Sequence, residues 1–138
     1  VNLIIFFMKY QTKSITVRYG ETDQMQFVHH SNYLKYFELA RIEWLSDLGI
    51  SYASMEINGI LMPVVSASLK FKEPLFFGDN FQVSVFLKNK PKARLEFDYE
   101  IINQKNEIIC TGNTVLAFIS SYRKKPLRCP DFLLEKFN

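Results

Sequence analysis

The chain has 138 residues, 48% hydrophobic and 22% charged, which fits one globular domain large enough for a real core. Its net charge of +3, from 17 basic and 14 acidic residues, is too mild for a nucleic-acid binder, and no basic stripe interleaved with aromatics is present. Two cysteines, Cys110 and Cys129, suggest neither a disulfide framework nor a metal cluster, so a reducing cytoplasm is the expected setting.

Residues 1–7 are apolar but too short to span a bilayer, and they lack the basic start and small-residue cleavage site of a secretory signal. With Met8 just ahead of the first patterned segment, residues 1–8 are expected to be an extension of a single domain, 1–138, or an extra edge segment. Ser14 to Tyr19 alternates Ile15, Val17 and Tyr19 against Thr16 and Arg18, which predicts a half-buried strand.

The stretch Tyr19 to Tyr33, Y-G-E-T-D-Q-M-Q-F-V-H-H-S-N-Y, holds both histidines, Glu21 and Asp23, and ends where a long helix begins. A helix start carries unpaired N–H groups and the positive end of the macrodipole, which favour a developing negative charge. A carboxylate beside such donors is a minimal acyl-transfer site. The same Asp in a loop after a strand also reads as a turn or cap residue.

Ser31 or Asn32 is expected to cap the helix through its side-chain oxygen. Tyr33, Tyr36, Phe37, Ala40, Trp44 and Leu48 then recur at helical spacing as one apolar stripe. Leu34, Leu39, Ile42 and Leu45 lie off that stripe and predict a helix covered on more than one side. Gly49 is a natural stop, because glycine enters the left-handed C-cap conformation cheaply. Ser51 to Ile57 can form a short second helix. Ile60 to Phe71 reads as a strand, with Pro63 restricting its start or setting it at an edge. Pro74 and Gly78-Asp79 break the chain. Phe81 to Lys88 alternates, Asn89-Lys90-Pro91 turns, and Leu95, Phe97, Tyr99 and Ile101 share one face of the next strand. Asn103 to Asn106 is a polar hairpin turn, Glu107 to Ser121 a long strand, and Asp131 to Phe137 a last short helix. The order is α+β: an antiparallel sheet with helices on one face.

Thr22 to Arg41, T-D-Q-M-Q-F-V-H-H-S-N-Y-L-K-Y-F-E-L-A-R, resembles the signature of hotdog-fold acyl-CoA thioesterases of the 4-hydroxybenzoyl-CoA thioesterase type. Pro74-x-x-x-Gly78-Asp79 and Arg123-Lys124-Lys125-Pro126 resemble further family features, so the likeness covers about Lys13 to Pro130. It implies a single hotdog domain, an antiparallel sheet wrapped around one long central helix. It also implies Asp23 as the catalytic aspartate and His30 as the residue whose backbone N–H polarises the thioester carbonyl. Gln26 departs from the pattern, standing where the family has glycine. Hotdog enzymes pair across a two-fold, so a homo-oligomer is implied, a dimer or a tetramer built as a dimer of dimers, with sites between subunits.

The expected chemistry needs no cofactor and no membrane span: a nucleophile, a polarised oxygen and a bound acyl-CoA suffice for a thioester, whose carbonyl lacks amide resonance. Asp23 can attack or activate water. His29 and His30 diverge as neighbours and have no third ligand nearby, so they make a poor metal site. One of His29 and His30 can serve as general base or acid, or orient Asp23 or pack on the acyl chain, and Glu21 is expected to be solvated or at an interface. Gln26 can obstruct the site or donate to it, and Phe27, Tyr33, Phe37 and Met62 can line an acyl pocket. Arg123, Lys124 and Lys125 are the candidates for the CoA phosphates, or a solvated basic tail. An enoyl-thioester hydratase and a non-catalytic binding module on the same fold are the alternatives.

Overall fold

The computed structural model describes residues 8–137. Met8–Gln11 (β1) and Ile15–Thr16 (β2) lead into a 3₁₀ turn at Tyr19–Glu21 and then the long helix Ser31–Asp47 (α1). Tyr52–Ile57 (α2), Ile60–Leu61 (β3), Val64–Phe71 (β4), Asn80–Leu87 (β5), Arg94–Asn103 (β6) and Ile108–Ser120 (β7) follow. Pro126–Leu127 (β8) and Asp131–Leu134 (α3), extended by a 3₁₀ turn to Phe137, close the chain. Every strand pairing is antiparallel: β1 and β2 on β5, β5 on β6, β6 on β7, and β3, β4 and β8 on β7.

The sheet curls round α1, and aromatic pairs record the wrapping. Trp44 meets Tyr10 of β1 and Phe97 of β6, Tyr36 meets Phe81 of β5, and Tyr33 meets Phe71 of β4. Phe37 stacks on Tyr99 of β6 at 4.2 Å, and its ring fills the space over Gly112 of β7. A Cβ on Gly112 would lie 2.3 Å from that ring and 3.0 Å from the Ser68 carbonyl oxygen. This is the arrangement the resemblance implies, one sheet around a central helix. The predicted face of β6 (Leu95, Phe97, Tyr99, Ile101) is buried throughout, as are Val83, Val85 and Leu87 of β5. Gly49 stands at φ 85° past the helix, and its N–H donates to the Ser46 carbonyl.

Several boundaries differ from the sequence reading. Met8, counted with the extension, pairs with Leu87 in β1, while residues 1–7 lie outside the described residues. The strand expected from Ser14 to Tyr19 is two residues long, because the chain turns into the 3₁₀ segment and leaves Tyr19 76% exposed. The run from Ile60 to Phe71 is split at Met62-Pro63, where a residue without an N–H cannot continue the ladder. Of the residues off the stripe Leu45 is buried, while Leu34, Leu39 and Ile42 are exposed, so α1 is covered beyond its stripe at Leu45 but not on its outer face. The helix cap differs too. His30 holds the N-cap position with no side-chain cap bond, and Asn32 turns inward to donate to the Glu21 carbonyl.

Candidate active site

Asp23 opens a tight hairpin. Its N–H donates to the Phe27 carbonyl at 2.8 Å, and its carbonyl accepts from the Gln26 N–H at 3.0 Å. Bridges from Thr22 to Val28 and from Phe27 to Phe76 tie both sides of the hairpin to the fold. One carboxylate oxygen, Oδ1, accepts the Met25 N–H at 2.8 Å, an Asx turn that orients the acid. The other has no partner among the described residues and is the oxygen available for chemistry. Glu21, expected to be solvated or at an interface, is held within the chain: its side chain is 18% exposed and accepts the Arg18 N–H.

Closing the hairpin needs an unusual backbone conformation at Gln26, where φ is 69°. That is left-handed territory, cheap for glycine and strained for a residue with a Cβ. Gln26 therefore takes the conformation that a glycine would favour, with its side chain exposed.

The start of α1 is held by His29 rather than by Ser31 or Asn32. The Ser31 N–H donates to His29 Nδ1 at 3.2 Å, and the Ser31 hydroxyl lies 2.8 Å from the same nitrogen. The His29 ring also stacks against that of His30, 4.1 Å between centroids. The Asn32 and Tyr33 N–H groups donate to the carbonyls of His29 and His30, while the His30 N–H has no acceptor among the described residues. It lies at the positive end of a 17-residue helix.

Asp23 and His30 share a cleft of about 330 Å³ whose walls are Phe27, Val28, Tyr33, Phe71, Lys72, Glu73 and Pro74. Burial pushes the Tyr33 phenol up to about 12, so it is neutral at working pH. Of the residues singled out from the sequence, Asp23, His30, Phe27 and Tyr33 come together here. Gln26 and His29 do not line it. Phe37 is wholly buried between α1 and the sheet. Met62 lines a separate cavity of about 300 Å³ with Tyr52, Met55 and Ile60. Lys72, Glu73 and Pro74 were missed, because their place beside the cleft is set where β4 leaves its pairing with β7, a distant strand.

Arg123, Lys124 and Lys125 are exposed in a turn after β7. Ser120 organises that turn through its carbonyl, which accepts the Lys124 N–H, and through its own N–H, which donates to Lys125. The same end of the sheet carries Arg94, paired with Ala117, and Lys92, whose carbonyl accepts the Cys129 N–H. These two cations, also missed, widen the basic end. The cleft lies at the opposite end of β7, where Cys110 faces Phe71. At about 3.3 Å per residue, the span from Cys110 to Ser120 is on the order of 30 Å. Among the described residues no group of His, Cys, Asp and Glu is arranged to hold a metal. Among the same residues no helix is long and apolar enough to cross a membrane.

The family model described as the thioesterase-like superfamily matches residues 17–137, and the chain belongs to that superfamily. It is 33% identical over 121 residues, 88% of each chain, to a Bacillus subtilis protein named "Putative acyl-CoA thioesterase YneP". It is also similar to the crystal structure of DHNA-CoA thioesterase from Staphylococcus aureus, with a TM-score of 0.82 and 38% identity over 87% of this chain and 80% of that one. A 1,4-dihydroxy-2-naphthoyl-CoA thioesterase structure from Synechocystis shares the fold at a TM-score of 0.87, with 22% identity over 94% and 96% of the two chains.

Proposed function

We propose that this chain hydrolyses acyl-CoA thioesters to the free acid and CoA, with Asp23 as nucleophile or general base and the His30 N–H polarising the carbonyl. The observation that carries this reading is the cleft itself. Its lining includes both Asp23, a carboxylate with one uncommitted oxygen, and His30, the helix-start residue whose N–H has no acceptor among the described residues, beside aromatic walls. A tetrahedral oxyanion is held best by a donor already aimed and free of a competing acceptor. The names of the Bacillus and Staphylococcus relatives support the same reaction. The departure at Gln26, which motivates a non-catalytic alternative, leaves the hairpin closed and the cleft open.

The working form is a homo-oligomer. Among the described residues no strand pairs with the free edge of β4, and Val64, Val65 and Phe71 on it are exposed. An unpaired edge of this length is a template for another strand. Two copies joined antiparallel through β4 run their β7 strands in opposite senses. The basic end of one copy then falls beside the cleft of the other, separated by two strand spacings, roughly 10 Å. Arg123, Lys124 and Lys125 hold the CoA phosphates in that arrangement across the interface.

The test is Asp23→Asn, assayed by thiol release over a panel of acyl-CoAs. The amide keeps the size and the Met25 contact but loses the charge, so kcat should fall by on the order of 10²-fold or more with an unchanged melting temperature. A folded variant with near-parental turnover would remove Asp23 from the chemistry.

A further inference from the structure

Tyr122 is 78% exposed, yet its ring is held in place from below. The Cδ2–Cε2–Cζ edge sits on Gly59, where an added Cβ would meet Cε2 at 2.3 Å and Cδ2 at 2.8 Å. That seat exists because Gly59 has no side chain. The phenol hydroxyl donates to the Ile57 carbonyl at 3.4 Å, and the Ser121 N–H donates to the Gly59 carbonyl at 2.9 Å. The turn that follows is just as firmly set. The Ser120 Oγ accepts the Arg123 N–H, its carbonyl accepts the Lys124 N–H, and Lys124 takes a left-handed φ of 56°. Among the described residues no other ring stacks on Tyr122, so most of a fixed aromatic surface is left in water directly before three consecutive cations. A tyrosine that served only to cover Gly59 would bury its ring.

We propose that Tyr122 is the platform on which the adenine base of the substrate's nucleotide stacks; the proposal rests on the thioesterase reading and on the basic turn as the phosphate site. A base gains most from an aromatic ring whose orientation is fixed before it arrives, because little side-chain freedom remains to be lost. The turn then matches both halves of a nucleotide, an uncharged π-surface and the phosphates joined to it. Neither half alone selects this ligand, since cations hold any polyanion and an open ring holds any flat group. Together they favour a thioester whose carrier ends in a nucleotide over one whose pantetheine arm is free or sits on a carrier protein. Tyr122 thus reads the carrier and is indifferent to the acyl group. Its share of binding also outlasts salt, which screens the exposed cations and leaves stacking in place.

The experiment titrates adenosine bisphosphate (the nucleotide end of CoA), CoA itself and phosphopantetheine by calorimetry into the parent, Tyr122→Leu, Tyr122→Phe and Tyr122→Trp. Leucine keeps an apolar contact with Gly59 but offers no π-face. It should weaken CoA and adenosine bisphosphate by about tenfold or more, at low and high salt alike, and leave phosphopantetheine within about twofold. Phenylalanine and tryptophan, which restore the face without the hydroxyl, should bind within about threefold of the parent. In thiol release, Tyr122→Leu should raise KM for acyl-CoA with kcat unchanged and leave acyl-pantetheine as it was. A parent that does not bind adenosine bisphosphate overturns the proposal, as does a leucine variant that binds it equally well. Equal losses on phosphopantetheine, or a phenylalanine variant as weak as leucine, also overturn it, by showing that Tyr122 serves the shape of the turn. The expected pattern of nucleotide binding in a protein that releases thiol from no acyl-CoA would instead overturn the catalytic reading and leave the platform standing.

Discussion

Gln26→Gly tests the hairpin that holds Asp23. The φ of 69° at Gln26 costs an L-residue about 1–2 kcal/mol. Glycine removes that cost, but its freer unfolded chain takes back about 0.4–1 kcal/mol. The side chain is exposed and outside the cleft, so no packing is lost, and the N–H that donates to the Asp23 carbonyl remains. The net expectation is a protein more stable by about 0.5–1 kcal/mol, or roughly 1–4 °C in Tm. Gln26→Val should go the other way by at least about 1 kcal/mol, since a β-branched residue is a true outlier at positive φ. Urea denaturation measures both, read as a shift in midpoint at constant slope. Thiol release on short, long and aromatic acyl-CoAs should leave kcat/KM of the glycine variant within about twofold of the parent. A glycine variant less stable than the parent, or a valine variant its equal, would refute the strained turn. A tenfold change in kcat/KM would refute the outward orientation of the side chain.

Neutralising Arg123 and Lys124 together should raise KM for acyl-CoA several-fold in dilute buffer, with an effect that fades as salt shortens the Debye length to about 10 Å at 0.1 M. An acyl-pantetheine substrate, lacking the nucleotide phosphates, should be indifferent; equal losses on both would detach these residues from phosphate binding. Light scattering should return a mass of two or four 16.2 kDa chains, and a stable monomer would contradict the β4 pairing. Alkali should weaken the fold. Burial pushes the Cys110 and Cys129 thiols up to about 11 from an ordinary 9.0, and the Tyr33 phenol up to about 12 from 10.0. The folded state therefore keeps protons that the unfolded chain releases, so the stabilisation is full below pH 9 and drains away as pH climbs through about 12. Urea midpoints at about pH 8 and about pH 10.5 measure this, and equal values would show that these groups titrate freely.

Elements specified by local periodicity were legible in the sequence. The stripe from Tyr33 to Trp44 named the buried face of α1, and the alternation from Leu95 to Ile101 named the buried face of β6, because each pattern lies within a few turns or residues of itself. The carboxylate near a helix start pointed to Asp23 and the family resemblance to His30, and the two line one cleft. Features decided by distant partners were not legible. β1 is four residues that count only because β5 lies alongside, and β8 forms only against Phe118 and Ile119. The course of the chain past β4 is written in one carbonyl of β7, that of Ile109, which accepts from both Lys72 and Glu73 and which no pattern within β4 reports. The cap on α1 was misread because a histidine before the helix does what serine or asparagine ordinarily does. Phe37 and Met62 have the right character for an acyl pocket, yet one is sealed in the core and the other lines another cavity of the same chain.

Phe37 over Gly112 works as a key in a slot. A helix lying on a smooth apolar sheet could slide along its axis or roll, since dispersion contacts are cheaply exchanged for one another. Here any slide drives the ring of Phe37 into the flanks of a notch that only a missing side chain opens, with the Ser68 carbonyl at its side. The axial position of α1 is thus set from the core, several residues downstream of its reactive end. His30 inherits its coordinates from that slot and Asp23 from the bridges of its hairpin, so the two halves of the site are indexed separately to one rigid sheet. The exposed tip between them, Gln24 to Gln26, belongs to Asp23's half: its Met25 and Gln26 N–H groups hold Asp23, so its side chains can vary only where the left-handed turn at Gln26 survives.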